Sequence, residues 1–201
     1  MDAAEFQALS GVSRETLARL ERYAGLLEKW QRAINLVGPR TLPDLWRRHM
    51  WDSAQLRPLL PAQARVLVDL GSGAGFPGMV LAILGVPEVH LIESDRRKCA
   101  FLHEVSRETH TSVRIHAARI EAVAPLAADV VTARALAPLD RLLDLSTPFV
   151  TAGGVCLFLK GQDVEKELTS ATKEATMRCE SLPSRSDPGG TILRIERLGR
   201  A

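Results

Sequence analysis

Along the first sixty residues the apolar positions recur at helical steps. Leu17, Leu20, Ala24 and Leu27 share one face, with Trp30 and Ile34 near its end, as in an amphipathic helix. Ser13 with Thr16 marks its start and Gly38-Pro39 its stop. A second helix is predicted from about Thr41 to Leu56, ahead of Pro58 and Pro61. From Arg65 the helical period gives way to short apolar runs. Arg65–Leu70 reads as a buried strand that ends in a glycine turn, Gly71-Ser72-Gly73-Ala74-Gly75. Further strands are predicted at 88–93, 112–116, 129–133, 153–159, 179–182 and 191–195. Helical stretches fall between them at 78–84, 95–108, 136–145 and 163–176.

Strands that alternate with helices at this spacing predict an α/β fold, a doubly wound and mostly parallel sheet covered on both faces. No helix separates the last two strands, so they are expected to form an antiparallel edge. The chain divides on this reading into a small helical cap (1–60) and a sheet domain (61–201).

Composition adds mainly exclusions. Across 201 residues, 46% are hydrophobic and 25% charged, and the formal net charge is +2, so the chain is neither disordered nor driven to nucleic acid by bulk charge. The three cysteines, Cys99, Cys156 and Cys179, are far apart and odd in number, which argues against a disulfide framework or a zinc site. No apolar run approaches the ~20 residues of a membrane span. The acidic start Met1-Asp2-Ala3-Ala4-Glu5 is unlike a signal peptide. A soluble cytoplasmic protein is the expectation.

The glycine turn carries the first chemistry. In an open α/β sheet, ligands sit outside the carboxyl ends of the strands, where the strand order reverses. Gly71, Gly73 and Gly75 suit positive φ and a close backbone approach. A nicotinamide or flavin site favours G-x-G-x-x-G, but here the third glycine comes one position early. Asp69, just before the turn, suits a cationic ligand or one with an amino group. Glu93 ends the second strand twenty residues past Gly73, where a carboxylate can accept from both ribose hydroxyls of an adenosine. Asp95 is either a second contact or a helix N-cap. Ile120, within Arg119-Ile120-Glu121, follows the third strand where an adenine ring could lie. Arg134 stands just past the fourth strand, placed to orient a carboxylate or phosphate with a forked hydrogen bond.

Asp69 to Gly78 resembles the first motif of the small-subunit ribosomal RNA methyltransferase G family. Asn35-Leu36, Arg48-His49, Asp52-Ser53, Lys98 with Phe101-Leu102, Arg119-Ile120-Glu121, Arg134 to Leu139 and Lys160-Gly161 follow in the family's order. Val37-Gly38 departs from it, standing where many members carry Thr. The resemblance runs from about 15 to 197. It implies a seven-stranded Rossmann-like methyltransferase sheet with an N-terminal helical extension. It also implies transfer of a methyl group from S-adenosylmethionine to N7 of one guanine in 16S rRNA, leaving S-adenosylhomocysteine. Gly71, Phe76, Ile120, Glu121 and Arg134 are its implied cofactor contacts. The expected partner is 16S rRNA or the small ribosomal subunit, with no membrane, no metal and a monomeric protein.

Guanine N7 carries an exposed lone pair, so the chemistry asks for positioning and not for a general base. Arg134 is the expected organiser; Asn35, His49 and Lys160 are candidates to hold the guanine or nearby phosphates. Arg32, Arg40, Arg47, Arg48, Arg96 and Arg97 are candidate RNA contacts. A small-molecule methyltransferase with the cap as lid, and an RNA-binding or assembly factor that keeps the fold without catalysis, remain as competing readings.

Overall fold

The computed structural model describes residues 1–161, 164–171 and 177–197. Strands β1 (Val66–Leu70), β2 (Glu88–Glu93), β3 (Arg114–Ala117), β4 (Ala128–Arg134), β5 (Val150–Lys160), β6 (Met177–Pro183) and β7 (Thr191–Arg197) form one sheet. Its order is β3-β2-β1-β4-β5-β7-β6. The first five strands run parallel, whereas β7 pairs antiparallel with both β5 and β6. The antiparallel edge is as expected, with β7 inserted between β5 and β6. Strand order reverses at β1/β4, so the turn after β1 opens at the switch point.

Helices α1 (Ala3–Ser10), α2 (Arg14–Gln31), α4 (Gly78–Ile83) and α5 (Arg96–Glu108) cover one face, and α6 (Leu139–Ser146) and α7 (Val164–Ala171) the other. The two-residue period of β1 divides its side chains between them. Leu67 packs in the core shared with Leu20, Tyr23, Met79 and Phe101; Val68 and Leu70 pack with Leu139 and Leu142. The N-terminal helices therefore share a core with the sheet. Arg19 and Arg22 strengthen that join by donating to the Thr109 and Glu108 carbonyls at 2.8 and 2.7 Å, where a helix C-terminus favours cations.

Two expected elements differ. Helix α2 ends at Gln31, well before Gly38, because the Gln31 amide replaces the backbone partners beyond it. Its Oε1 accepts from Leu36 and Val37 N–H (2.9 and 3.0 Å), and its Nε2 donates to the Val37 carbonyl (2.8 Å). The single helix expected over 41–56 is a 3₁₀ segment (Pro39–Asp44), a π-helical segment (Trp46–Trp51) and the short turn α3 (Asp52–Ala54). Pro39 and Pro43 lack the N–H that an α-helix would use. Of the helix expected over 163–176, Val164–Ala171 is seen, and 163 and 172–176 lie outside the described residues.

Candidate active site

A cavity of about 600 Å³ opens over the carboxyl ends of β1, β4 and β5, with the N-terminal segment and the β6–β7 loop as its outer walls. Gly71, Gly73, Phe76, His49, Arg134 and Lys160, six of the residues singled out from sequence, line it.

The glycine turn is held from beneath. Ser72 N–H donates to the Ile92 carbonyl at 3.0 Å, and Ser72 Oγ donates to the Asp69 carbonyl at 3.0 Å. Asp69 points away from the cavity. Its Oδ1 accepts from Thr132 Oγ1 (2.7 Å) and its Oδ2 from Gly78 N–H (3.2 Å). Burial pushes its carboxyl up to about 6 despite those hydrogen bonds. Asp69 is thus a strut under α4, and the suggestion that it faces a cationic ligand is corrected. Gly75 also serves packing: a Cβ there would stand 2.7 Å from Tyr23 Oη and 2.8 Å from Met79 Cβ, at φ +97°. Gly73, at φ +57° with nothing nearer than 3.8 Å, faces open space.

Glu93 is 9% exposed, and each carboxylate oxygen already accepts one backbone N–H. Oε2 takes Gly73 N at 2.9 Å and Oε1 takes Asp95 N at 2.7 Å. A carboxylate offers about four acceptor sites, so capacity remains on both oxygens. Asp95 is the N-cap of α5, accepting from Arg97 and Lys98 N–H.

Arg134 lies in a socket made largely by the cap. Nη1 donates to the Arg48 carbonyl (3.0 Å) and pairs with Asp52 Oδ2 (3.4 Å); Nη2 donates to His49 Nδ1 (2.9 Å). The guanidinium carbon stands 5.1 Å from the Phe76 ring centre, within cation–π range. Tyr23 stacks on the same ring at 5.2 Å. The His49 tautomer follows from its neighbours. Nδ1 accepts from Arg134, and Nε2–H donates to Thr41 Oγ1 at 2.8 Å, which donates onward to the Gly38 carbonyl at 2.8 Å. Burial, then the charges of Arg134 and Arg48, push the imidazole down to about 3, so the ring is neutral at pH 7. Lys160 Nζ donates to the Ala137 carbonyl at 3.0 Å and pairs with Glu167 at 2.6 Å, tying the wall of the cavity to α7.

Other candidates fall outside the lining. Asn35 is exposed beside Leu36, which does line the cavity. Ile120 and Glu121 sit on the loop after β3, where Glu121 pairs with Arg141 across the surface. Arg32, Arg40, Arg47, Arg96 and Arg97 are exposed; Arg48, by contrast, lines the cavity, half-buried and paired with Asp187 at 2.5 Å.

A family model, rRNA small subunit methyltransferase G, matches residues 16–186. The chain belongs to the rRNA small subunit methyltransferase G family. It is 61% identical to the Ribosomal RNA small subunit methyltransferase G of Paramagnetospirillum magneticum, over 100% of this chain and 98% of that one. With its Rhodospirillum rubrum namesake it shares 60%, over 98% of each. Among solved structures, the fold resembles an S-adenosylmethionine-dependent methyltransferase from Methanococcus maripaludis (TM-score 0.61, 10% identity, 89% and 93% covered). It also resembles the glycopeptide N-methyltransferase MtfA (TM-score 0.61, 11% identity, 74% and 93% covered). These likenesses establish a Rossmann-like methyltransferase fold for this family member.

Sequence reasoning gave no role to Tyr23, Thr41, Gln55, Ser186 or Asp187, and it quoted Asp52 only within a family segment. The spacing of Arg48, Asp52 and Gln55 was a usable signal, since steps of four and three share one helical face. The partner they meet, the loop 184–187, is more than a hundred residues away in sequence.

Proposed function

We propose that this protein transfers a methyl group from S-adenosylmethionine to N7 of a guanine in small-subunit ribosomal RNA. One observation carries the reading. The glycine turn after β1 and the cation ending β4 line one cavity at the switch point of a methyltransferase fold, and the carboxylate ending β2 is hydrogen-bonded to that turn through Gly73 N–H. The residues fit the cofactor. Gly73 leaves the turn open toward the cavity, Glu93 keeps acceptor capacity for ribose hydroxyls, and Arg134 keeps N–H donors beyond its three partners for a carboxylate. Gly71 and Phe76 complete that wall, with Gly75 seating the turn; Ile120 and Glu121, on the loop after β3 and outside the lining, are assigned to the adenine side from the family resemblance.

When bound, S-adenosylmethionine supplies an electrophilic methyl on a sulfonium. Guanine N7 brings its own lone pair, so no side chain has to remove a proton. His49, neutral and hydrogen-bonded at both nitrogens, fits a role in orienting Arg134 and not in acid–base chemistry. Lys160 lines the cavity and Asn35 is exposed beside its lining residue Leu36, both assigned to the entry of an RNA loop, and a guanine must be presented unpaired or flipped to reach the cavity. The reading is tested by incubating the protein with labelled S-adenosylmethionine and small subunits that lack the modification. Label at N7 of one guanine supports it. Cofactor binding without transfer to any RNA overturns it in favour of a non-catalytic RNA-binding factor.

A further inference from the structure

The β6–β7 loop is gripped by one face of the cap. Arg48 Nη1 pairs with Asp187 Oδ2 at 2.5 Å, Asp52 Oδ1 accepts from Ser186 Oγ, and Gln55 Oε1 accepts from Arg185 N–H at 2.7 Å. Gln55 Nε2 adds contacts to Ser184 Oγ at 3.1 Å and to Asp52 Oδ1 at 3.0 Å. Ser186 is buried, whereas Arg185 is exposed, so the loop is anchored from within and presents a cation outward. β7 lies three strands from β1, roughly 14 Å at the usual strand spacing. A cofactor on the glycine turn and Glu93 leaves that end of the cavity for the base and its flanking phosphates.

Asp52 joins the two ends. One carboxylate oxygen holds Ser186 on the loop and the other faces Arg134 at 3.4 Å on the cofactor side. A displacement of the loop by RNA therefore reaches the guanidinium through a single partly buried side chain. We propose that Asp52 is a positioning residue that couples RNA engagement of the 184–187 loop to the placement of Arg134, so that RNA substrate tightens cofactor binding. This rests on the functional reading above, which puts the cofactor at Arg134 and RNA at the loop.

Thermodynamic coupling between two sites is reciprocal and spans about 5- to 150-fold in affinity. The test is the dissociation constant of S-adenosylhomocysteine, measured by fluorescence or calorimetry with and without a saturating rRNA fragment that carries the target guanine. The wild-type protein should bind it about fivefold more tightly with RNA present. Ser186→Ala breaks the loop side of the link without touching Arg134 and should bring that ratio near one; Ser186→Thr, which keeps the hydroxyl, should restore it. Asp52→Asn, which removes the charge facing Arg134, should also abolish the ratio. A ratio near one in the wild type, a wild-type ratio in Ser186→Ala or Asp52→Asn, or no restoration by Thr would each overturn the coupling. Failure of the wild type to bind S-adenosylhomocysteine at all would instead sink the functional reading.

Discussion

The Tyr23 hydroxyl donates to the backbone carbonyl of Ala74, 51 positions away in the glycine turn. Tyr23 belongs to the cap and Ala74 to the turn, and both are buried. Burial holds the phenol well above its usual pKa, so it remains a donor throughout the working range. The cap is in this way part of the turn's foundation. Tyr23→Phe keeps the ring stacked on Phe76 but leaves the Ala74 carbonyl without its partner, a loss of about 1–3 kcal/mol. Urea denaturation should register that loss, and calorimetry should register weaker S-adenosylhomocysteine binding. Unchanged values in both would remove the cap from the turn's support.

Two glycines of the turn region should respond differently to alanine. At Gly78 a Cβ would fall 2.5 Å from Leu91 Cδ2 and 2.7 Å from Asp69 Cβ, and overpacking of this kind costs about 1–3 kcal/mol. Gly78→Ala should therefore lower the thermal midpoint clearly. Gly73→Ala meets open space and bears only the left-handed backbone cost, about 1 kcal/mol. Its larger effect should be on cofactor affinity, because the added methyl projects where the ligand lies. Thermal melts beside S-adenosylhomocysteine titrations separate the two.

Two buried titrating groups act in opposite directions on acidification. His49 is held at about 3, below its unfolded value near 6.5, so its contribution is complete above 6.5 and is lost as pH falls toward 3. Between pH 7 and 5 that loss approaches about 2 kcal/mol. Asp69 is raised to about 6, so the folded state takes a proton before the unfolded chain does, and stability rises by about 1 kcal/mol over the same interval. The two largely offset in the wild type. His49→Gln should gain stability between pH 7 and 5, and Asp69→Asn should lose it more steeply than the wild type. Denaturation at both pH values checks the signs; parallel profiles for the two variants would refute them.

Arg48 is half-buried between the cavity and Asp187. Arg48→Glu would set a carboxylate against Asp187 and remove one phosphate partner. RNA affinity should fall, and the slope of log affinity against log salt should shrink by about one. Cofactor affinity without RNA should change much less. Equal losses of both would mean that Arg48 serves the cofactor side.

The strand alternation, the antiparallel edge and the turn–carboxylate–arginine constellation were legible in the amino-acid order, because each depends on local periodicity or on where a strand ends. Gly71, Arg134 and Lys160 were found that way, Phe76 and His49 through the family resemblance, and all five line one cavity. The orientation of Asp69 was not legible, since which side of a strand lies under α4 depends on Gly78 packing onto it. The broken helix over 39–54 could have been anticipated from Pro39 and Pro43, but its π-helical middle could not.

Sequence alone determined that a glycine turn closes the first strand of a doubly wound sheet and that an acidic and a basic side chain end its neighbours. Only the tertiary structure decided that the cap and the β6–β7 loop form one wall, with Asp52 between Ser186 and Arg134. Such contacts join segments more than eighty residues apart, and no local pattern encodes them; they exist because the chain folds back until buried polar groups find partners.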